Sequence, residues 1–126
     1  MKATGRWLYV VFAVLFFLCV LVQFFLAGMA IFEGGQYWRS HQSLVHLFGL
    51  NVPIFMLLTA FIGHARSNDY LYIIALFVLT ICMYVTANAG ALHGYMGALH
   101  PVLGTVLALV SGLTVYHSIT LALNKR

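Results

Sequence analysis

Histidines are the residues of this sequence best suited to chemistry, and four of the six fall in two short stretches. His41 and His46 belong to the segment YWRSHQSLVHLFG, and His93 and His100 belong to the segment HGYMGALHPVLG. A neutral imidazole ligates metals through either ring nitrogen. Within membrane spans such side chains are rare and usually face the interior of a bundle. The two stretches together form the candidate site.

The composition excludes an ordinary soluble domain. The 126 residues are 63% hydrophobic and only 6% charged, with a mean hydropathy of +1.02, whereas a soluble domain carries about 25% charged residues. A bilayer core about 30 Å thick needs roughly 20 apolar residues for each helical span. The sequence therefore predicts an all-α integral membrane protein, with residues 1–126 forming a single four-helix transmembrane domain.

The predicted spans cover about residues 7–32, 41–63, 70–88 and 101–123. Their short connections favour an antiparallel four-helix bundle. We expect Pro53 to bend the second helix, because proline lacks the amide that a helix interior uses. Pro101 is expected in the first turn of the fourth helix, where that amide would have no partner.

The basic residues predict the orientation of the bundle. Five of the six basic residues fall at the same side of the predicted bundle: Lys2, Arg6, Arg66, Lys125 and Arg126. Arg39 falls at the opposite side. Cytoplasmic loops carry the excess of lysine and arginine, so we expect both termini on the cytoplasmic side of a prokaryotic inner membrane. The same residues are scattered and form no clustered basic face, which argues against nucleic acid as a partner.

His41 and His100 are expected at the same depth in the bilayer. His41 precedes Arg66 by 25 residues, and His100 precedes Lys125 by 25 residues. At about 1.5 Å per residue, both histidines lie roughly 37 Å from the cytoplasmic ends of their helices, near the outer boundary. Because the second and fourth helices run in the same direction, a planar ligand between them would receive one imidazole from each side.

A bis-histidine heme needs this arrangement, together with an apolar slot and a polar edge for the propionates. We therefore predict one heme b, with His41 and His100 as axial ligands of the iron. Arg39 is close enough in sequence to meet a propionate. Gly104, one turn after His100, would let the macrocycle approach the backbone.

His46 is the rival of His41. It lies five residues deeper in the same helix, and its direction differs by about 140°. It pairs better with His100 if the fourth helix begins earlier, near Tyr95. Combinations that include His93 are a third alternative.

Other readings of the histidines stay open. The same nitrogens would suit zinc or copper, although no cysteine, aspartate or glutamate except Glu33 accompanies them. Taken singly, each histidine could be an interfacial residue bonded to loops or headgroups. A second heme between His64 and His117 is not expected, because their depths differ by six residues.

Three segments carry a resemblance to known proteins: LVQFFLAG, the pattern W-x-x-H-x-x-x-x-H, and ALHPVLG. They resemble a family of small four-helix prokaryotic membrane proteins of unknown function. The chain is also similar to one half of heme A synthase, in which a four-helix unit holds a b-type heme between histidines of its second and fourth helices. That similarity implies His41 and His100 as the ligands.

Membrane b-type cytochromes often place a glycine four residues after a ligating histidine. Gly104 matches this pattern after His100, whereas Val45 stands at that position after His41. Heme A synthase also needs a second bundle and an acidic residue near its catalytic histidines, and Glu33 is far from His41 in sequence. The resemblance therefore does not imply heme oxidation.

The function expected from the sequence is that of a non-catalytic heme-b membrane protein that carries electrons, or senses or handles heme. Its expected partners are the lipid bilayer, a quinone or a redox or membrane complex, and a second copy of the chain. The alternative is a cofactor-free structural or accessory subunit of a larger membrane complex.

Overall fold

The fold, a computed structural model that describes residues 1–89 and 93–124, is all-α. Its helices are α1 (Lys2–Phe32), α2 (Tyr37–Phe48), α3 (Asn51–Ile62), α4 (Ser67–Ala89) and α5 (Gly94–Leu123). Because α2 and α3 follow each other directly, the helices make four segments long and apolar enough to cross a bilayer. The chain is therefore a multi-pass membrane protein built as a helical bundle.

The fourth segment begins earlier than the sequence predicts. α5 starts at Gly94, after His93 in an extended conformation with φ −139° and ψ 108°. Pro101 consequently lies inside the helix, and its expected place in the first turn is wrong. The helix continues through Pro101, although position 101 has no amide to bond the Gly97 carbonyl. Lys125 and Arg126, used to predict the orientation, lie outside the described residues.

A break between α2 and α3 interrupts the second segment at Gly49 and Leu50. Both residues keep right-handed helical angles, so the chain does not reverse direction there. Pro53 explains the position, because an uninterrupted helix would bond the amide of residue 53 to the carbonyl of residue 49. The helix is therefore interrupted one turn before the proline, and the bend expected from Pro53 stays a prediction.

The core runs along the middle of the bundle. α1 packs against α5, α3 and α2, and α4 packs against α5 and α3. The largest fully buried apolar side chains are Tyr9, Phe16, Met56, Ile73 and Leu76. Many other large apolar side chains remain exposed along the outer surfaces of the helices, as expected where lipid rather than water surrounds the bundle.

One end of the bundle is closed by direct backbone contact between α1 and the turn after α3. A Cβ atom added at Gly5 would lie 2.5 Å from the Gly63 nitrogen, so only glycine fits there. Next to it, the Arg6 guanidinium donates hydrogen bonds to the carbonyls of Gly63 at 3.1 Å and Leu121 at 3.2 Å. The start of α1 therefore lies beside the ends of α3 and α5.

The same end holds an ion pair. Asp69 is fully buried and accepts hydrogen bonds from the Arg66 guanidinium, with Nε at 3.0 Å from Oδ2 and Nη2 at 3.3 Å from Oδ1. The Arg66 backbone amide donates to the same carboxylate at 3.0 Å. Arg66 also donates to the His117 carbonyl at 3.0 Å, which links the start of α4 to α5.

Candidate functional site

A cavity of about 720 Å³ opens between the helices at the end of the bundle away from Arg6. This volume lies within the roughly 300–1,000 Å³ of small-molecule and cofactor sites. The wall is mostly apolar and draws on α1, α2, α4 and α5. Its polar members are Gln23, Trp38, His41, Gln42, His46, Thr80, Tyr84, Asn88 and His100.

The structure brings His41 and His100 together across this cavity. Their ring centres are 6.4 Å apart, and the ring planes make an angle of 59°. Both side chains are half-buried and line the cavity wall. His41 comes from the first turns of α2 and His100 from the second turn of α5, so two elements distant in sequence supply one imidazole each.

Backbone carbonyls hold both rings by the same nitrogen. The His41 Nδ1 lies 3.2 Å from the Gln23 carbonyl oxygen, and the His100 Nδ1 lies 3.1 Å from the Met83 carbonyl oxygen. A carbonyl only accepts hydrogen bonds, so each Nδ1 must carry the proton. Each neutral ring therefore keeps the lone pair on Nε2 for another ligand. Metal-ligating histidines typically donate their other ring N–H to a carbonyl or carboxylate in this way.

The separation of the rings matches that of two ligands on one metal. A metal–imidazole bond is about 2.0–2.1 Å long and the ring centre lies about 1.1 Å behind the nitrogen, so opposed rings have centres about 6.3 Å apart. The observed separation is 6.4 Å.

His46 faces a different partner. Its ring stacks on Tyr84 with centres 5.5 Å apart and an interplanar angle of 21°. The Tyr84 hydroxyl lies 3.2 Å from His46 Nδ1 and 3.2 Å from the Val45 carbonyl, to which it donates. His46 lines the cavity but is exposed, and its contacts direct it to α4 rather than to His100.

The remaining predicted site residues fall around the cavity rather than at its centre. Arg39 is exposed and does not line the cavity wall, although its neighbour Trp38 packs edge-on against His41 with ring centres 5.6 Å apart. His93 is exposed and stacks on Tyr95, with ring centres 5.7 Å apart.

Gly104 is buried and lines the cavity. A Cβ atom there would meet the Met83 Cε at 3.4 Å and the Phe24 Cζ at 3.5 Å. These side chains already occupy the space beside the glycine, so its immediate role is close packing of α5 against α1 and α4.

His64 and His117 lie at the opposite end of the bundle. His64 sits in the turn after α3 with a φ of 50°, a left-handed conformation uncommon for a residue with a side chain. The His117 ring stacks on Tyr72 with centres 4.6 Å apart. Both residues therefore lie away from the cavity.

Sequence reasoning missed the residues that position the histidines. The Thr86 hydroxyl lies 3.3 Å from the His100 Nδ1 while it donates to the Cys82 carbonyl. Tyr84, which like Thr86 belongs to α4, contacts His46 on α2. No local pattern identifies these residues, because the groups they contact come from other helices.

Among residues 1–89 and 93–124, no group of three or more histidine, cysteine, aspartate or glutamate side chains is placed to hold a metal ion. The histidine pair therefore offers two protein ligands. Any metal bound there needs its remaining ligands from another source.

The fold and the cavity define a class: multi-pass α-helical membrane proteins with a histidine-containing cavity between the helices. The chain belongs to a family of unknown function, DUF6220, which matches residues 23–90, more than half of the sequence. This match agrees with the expected family of unknown function and includes Gln23, His41, His46 and Tyr84. No curated protein and no solved structure matches the chain, so the similarity to heme A synthase gains no support.

Proposed function

We propose that this protein binds one heme b in the cavity, with His41 and His100 as the axial ligands. The observation that carries the proposal is the geometry of that pair, whose ring centres are 6.4 Å apart. Both rings keep Nε2 available because Nδ1 donates to a carbonyl. Two imidazoles alone suit a metal that brings a macrocycle to supply its other ligands. The apolar wall would exclude water from the macrocycle faces.

The orientation belongs to the same proposal. Arg6 and Arg66 lie at one end of the bundle and the cavity lies toward the other. Basic residues favour the cytoplasmic side. We therefore infer an antiparallel transmembrane bundle with both termini in the cytoplasm of a prokaryote, and a heme near the outer leaflet of the inner membrane.

The role that fits such a site is electron transfer or heme handling rather than catalysis. A single heme near one face cannot carry an electron across the whole bilayer. A carrier would therefore exchange electrons with a quinone, a membrane redox complex or a second copy of the chain. The protein itself would hold the iron between two oriented imidazoles and surround the macrocycle with apolar side chains.

Hemin titration of the purified protein in nanodiscs tests the ligand assignment. We expect the His41→Ala and His100→Ala variants to lose the low-spin spectrum that the unmodified protein gives. His46→Ala and His93→Ala are matched controls, because both positions are exposed imidazoles near the same cavity, and they should keep that spectrum. Loss of the spectrum in His46→Ala but not in His41→Ala would transfer the assignment to the rival ligand.

A cofactor-free accessory subunit is the second candidate. The observation that favours it is that protein groups already satisfy one nitrogen of each cavity histidine, so the fold needs no ligand to hold these rings. This candidate predicts that a variant with His41→Ala and His100→Ala stays folded, and that the unmodified protein is colourless. Co-purification of unchanged partner subunits with that variant would support it.

A further inference from the structure

Helix α2 has close backbone contacts with the bundle on one side only. Its backbone packs closely against α1 and leads directly into α3. Among the described residues, it makes no close backbone approach to α4 or α5, because the cavity separates them. The rotation of α2 about its own axis decides which of its side chains faces His100. Two polar contacts bear on that rotation: one from Tyr84 on α4, whose hydroxyl donates to the Val45 carbonyl, and one from α1.

The contact from α1 comes from Gln23, which forms two hydrogen bonds with a single residue of α2, His41. Its Nε2 donates to the His41 backbone carbonyl at 3.0 Å. Its own backbone carbonyl accepts from the His41 Nδ1 at 3.2 Å. The side-chain bond holds the backbone of α2 and the main-chain bond holds the imidazole, so position and ring orientation are set together.

The two histidines of α2 both line the cavity and compete for the place opposite His100. They are five residues apart, which separates their directions by about 140° on a helix. With Gln23 bonded to residue 41, His41 faces His100, whereas His46 stacks on Tyr84. A rotation of α2 by about 140° would turn His46 toward His100 and His41 away from it.

We propose that Gln23 is a positioning residue that selects His41, rather than His46, as the heme ligand contributed by α2. This inference rests on the proposed heme site and adds the group that determines its ligand. Gln23 does not touch the iron; it acts through the orientation of His41.

Gln23→Leu is the informative substitution. It removes the bond to the His41 carbonyl but leaves the Gln23 backbone carbonyl in place. The Gln23 Oε1 atom is buried and has no hydrogen-bond partner among the described residues, so leucine also removes an unsatisfied acceptor. For this reason the variant should fold, and an effect on the heme site should not reflect general loss of stability.

The experiment compares the unmodified protein, Gln23→Leu and Gln36→Leu in nanodiscs, each loaded with hemin. Gln36 is the matched control, since it is exposed just before α2, does not line the cavity, and its side chain makes no hydrogen bond to described residues. We expect Gln23→Leu to release hemin to a heme-scavenging globin at least about tenfold faster, as outer-shell substitutions typically do. Its ferric electron paramagnetic resonance (EPR) signal should also change. Gln36→Leu should match the unmodified protein in both measurements.

A Gln23→Leu variant with unchanged hemin release and an unchanged EPR signal would overturn the inference. If the unmodified protein binds no hemin, the proposed function fails instead, and nitrogen NMR of the histidines in the heme-free protein decides the role of Gln23. The inference then requires that His41 lose its protected Nδ1–H signal in Gln23→Leu and keep it in Gln36→Leu. An unchanged His41 signal would overturn it.

Discussion

Pro53 leaves the Gly49 carbonyl without its helical hydrogen-bond donor, because proline lacks the amide that would bond this carbonyl in a continuous helix. The break between α2 and α3 falls at Gly49 and Leu50 as a result. Gly49 lines the cavity, and a Cβ atom there would lie 3.2 Å from the Thr80 Cγ2. The break thus lies at the cavity wall, between the helix that carries His41 and the rest of its span.

Pro53→Ala should weaken heme binding. The substitution restores an amide at position 53, which allows α2 and α3 to join in one helix and moves His41 relative to His100. We expect a lower hemin affinity and an altered distance between spin labels placed on α2 and α5. Pro101→Ala is the control, because α5 already continues through Pro101 and has no break to close. Equal hemin affinities for the two variants would show that the break between α2 and α3 does not position His41.

Gly5→Ala should destabilise the bundle. The added methyl group would lie 2.5 Å from the Gly63 nitrogen and 2.8 Å from the Ile62 carbonyl carbon, so α1 and α3 would have to separate. Overpacking of this kind costs about 1–3 kcal/mol of the free energy of unfolding. Denaturation by a harsh detergent, followed by circular dichroism, would measure the change.

Gly28→Ala is the control in the same helix, because a Cβ atom at Gly28 meets nothing within 4 Å. Replacing an unconstrained helical glycine by alanine stabilises a helix by about 0.5–1 kcal/mol. Comparable destabilisation by the two substitutions would contradict the close contact between Gly5 and Gly63.

Asp69→Asn should lower the free energy of unfolding by about 1–3 kcal/mol, because it weakens charge-assisted hydrogen bonds to a fully buried carboxylate. Asn68→Ala, at the exposed neighbouring position, should change stability little. Thermal unfolding of both variants in the same detergent checks the prediction. Equal melting temperatures for Asp69→Asn and the unmodified protein would contradict a structural role of the ion pair.

The stabilisation of the fold by the Arg66 guanidinium should not depend on pH near neutrality. Its hydrogen bonds with Asp69 raise the pKa of the Arg66 guanidinium above its ordinary value. A group whose pKa is raised on folding contributes stability below its unfolded pKa and loses it as the pH rises through the folded pKa. The pKa of an arginine is strongly alkaline, so the contribution of Arg66 to stability stays constant from about pH 6 to pH 8.

Much of the architecture follows from the sequence because apolar runs of this length have few alternatives in a bilayer. The structure has four helical segments long and apolar enough to cross a bilayer, and the fourth begins earlier than the sequence predicts. Pro101 suggested a helix start, yet the preceding turn from Gly94 is helical as well, since one missing bond is tolerated inside a long helix. The equal counts from the basic residues anticipated one level for His41 and His100, whose rings the structure places together. Their ligation of heme stays a prediction.

The surroundings of the histidines could not be read from the chain. Gln23 on α1 contacts His41 on α2, and Tyr84 on α4 contacts His46 on α2. Such contacts depend on the rotation of each helix about its axis. Hydrophobic periodicity hardly defines that rotation for α1, α4 and α5, because apolar residues surround most of each of these helices.

The absorption spectrum of the protein, purified from heme-replete cells and measured with its iron content, tests the central claim most directly. We predict a Soret band with low-spin α and β bands on reduction by dithionite, and one iron per chain. The double variant with His41→Ala and His100→Ala, purified in the same way, should lack these bands. A folded, colourless unmodified protein that stays colourless after incubation with hemin would contradict the proposed heme site.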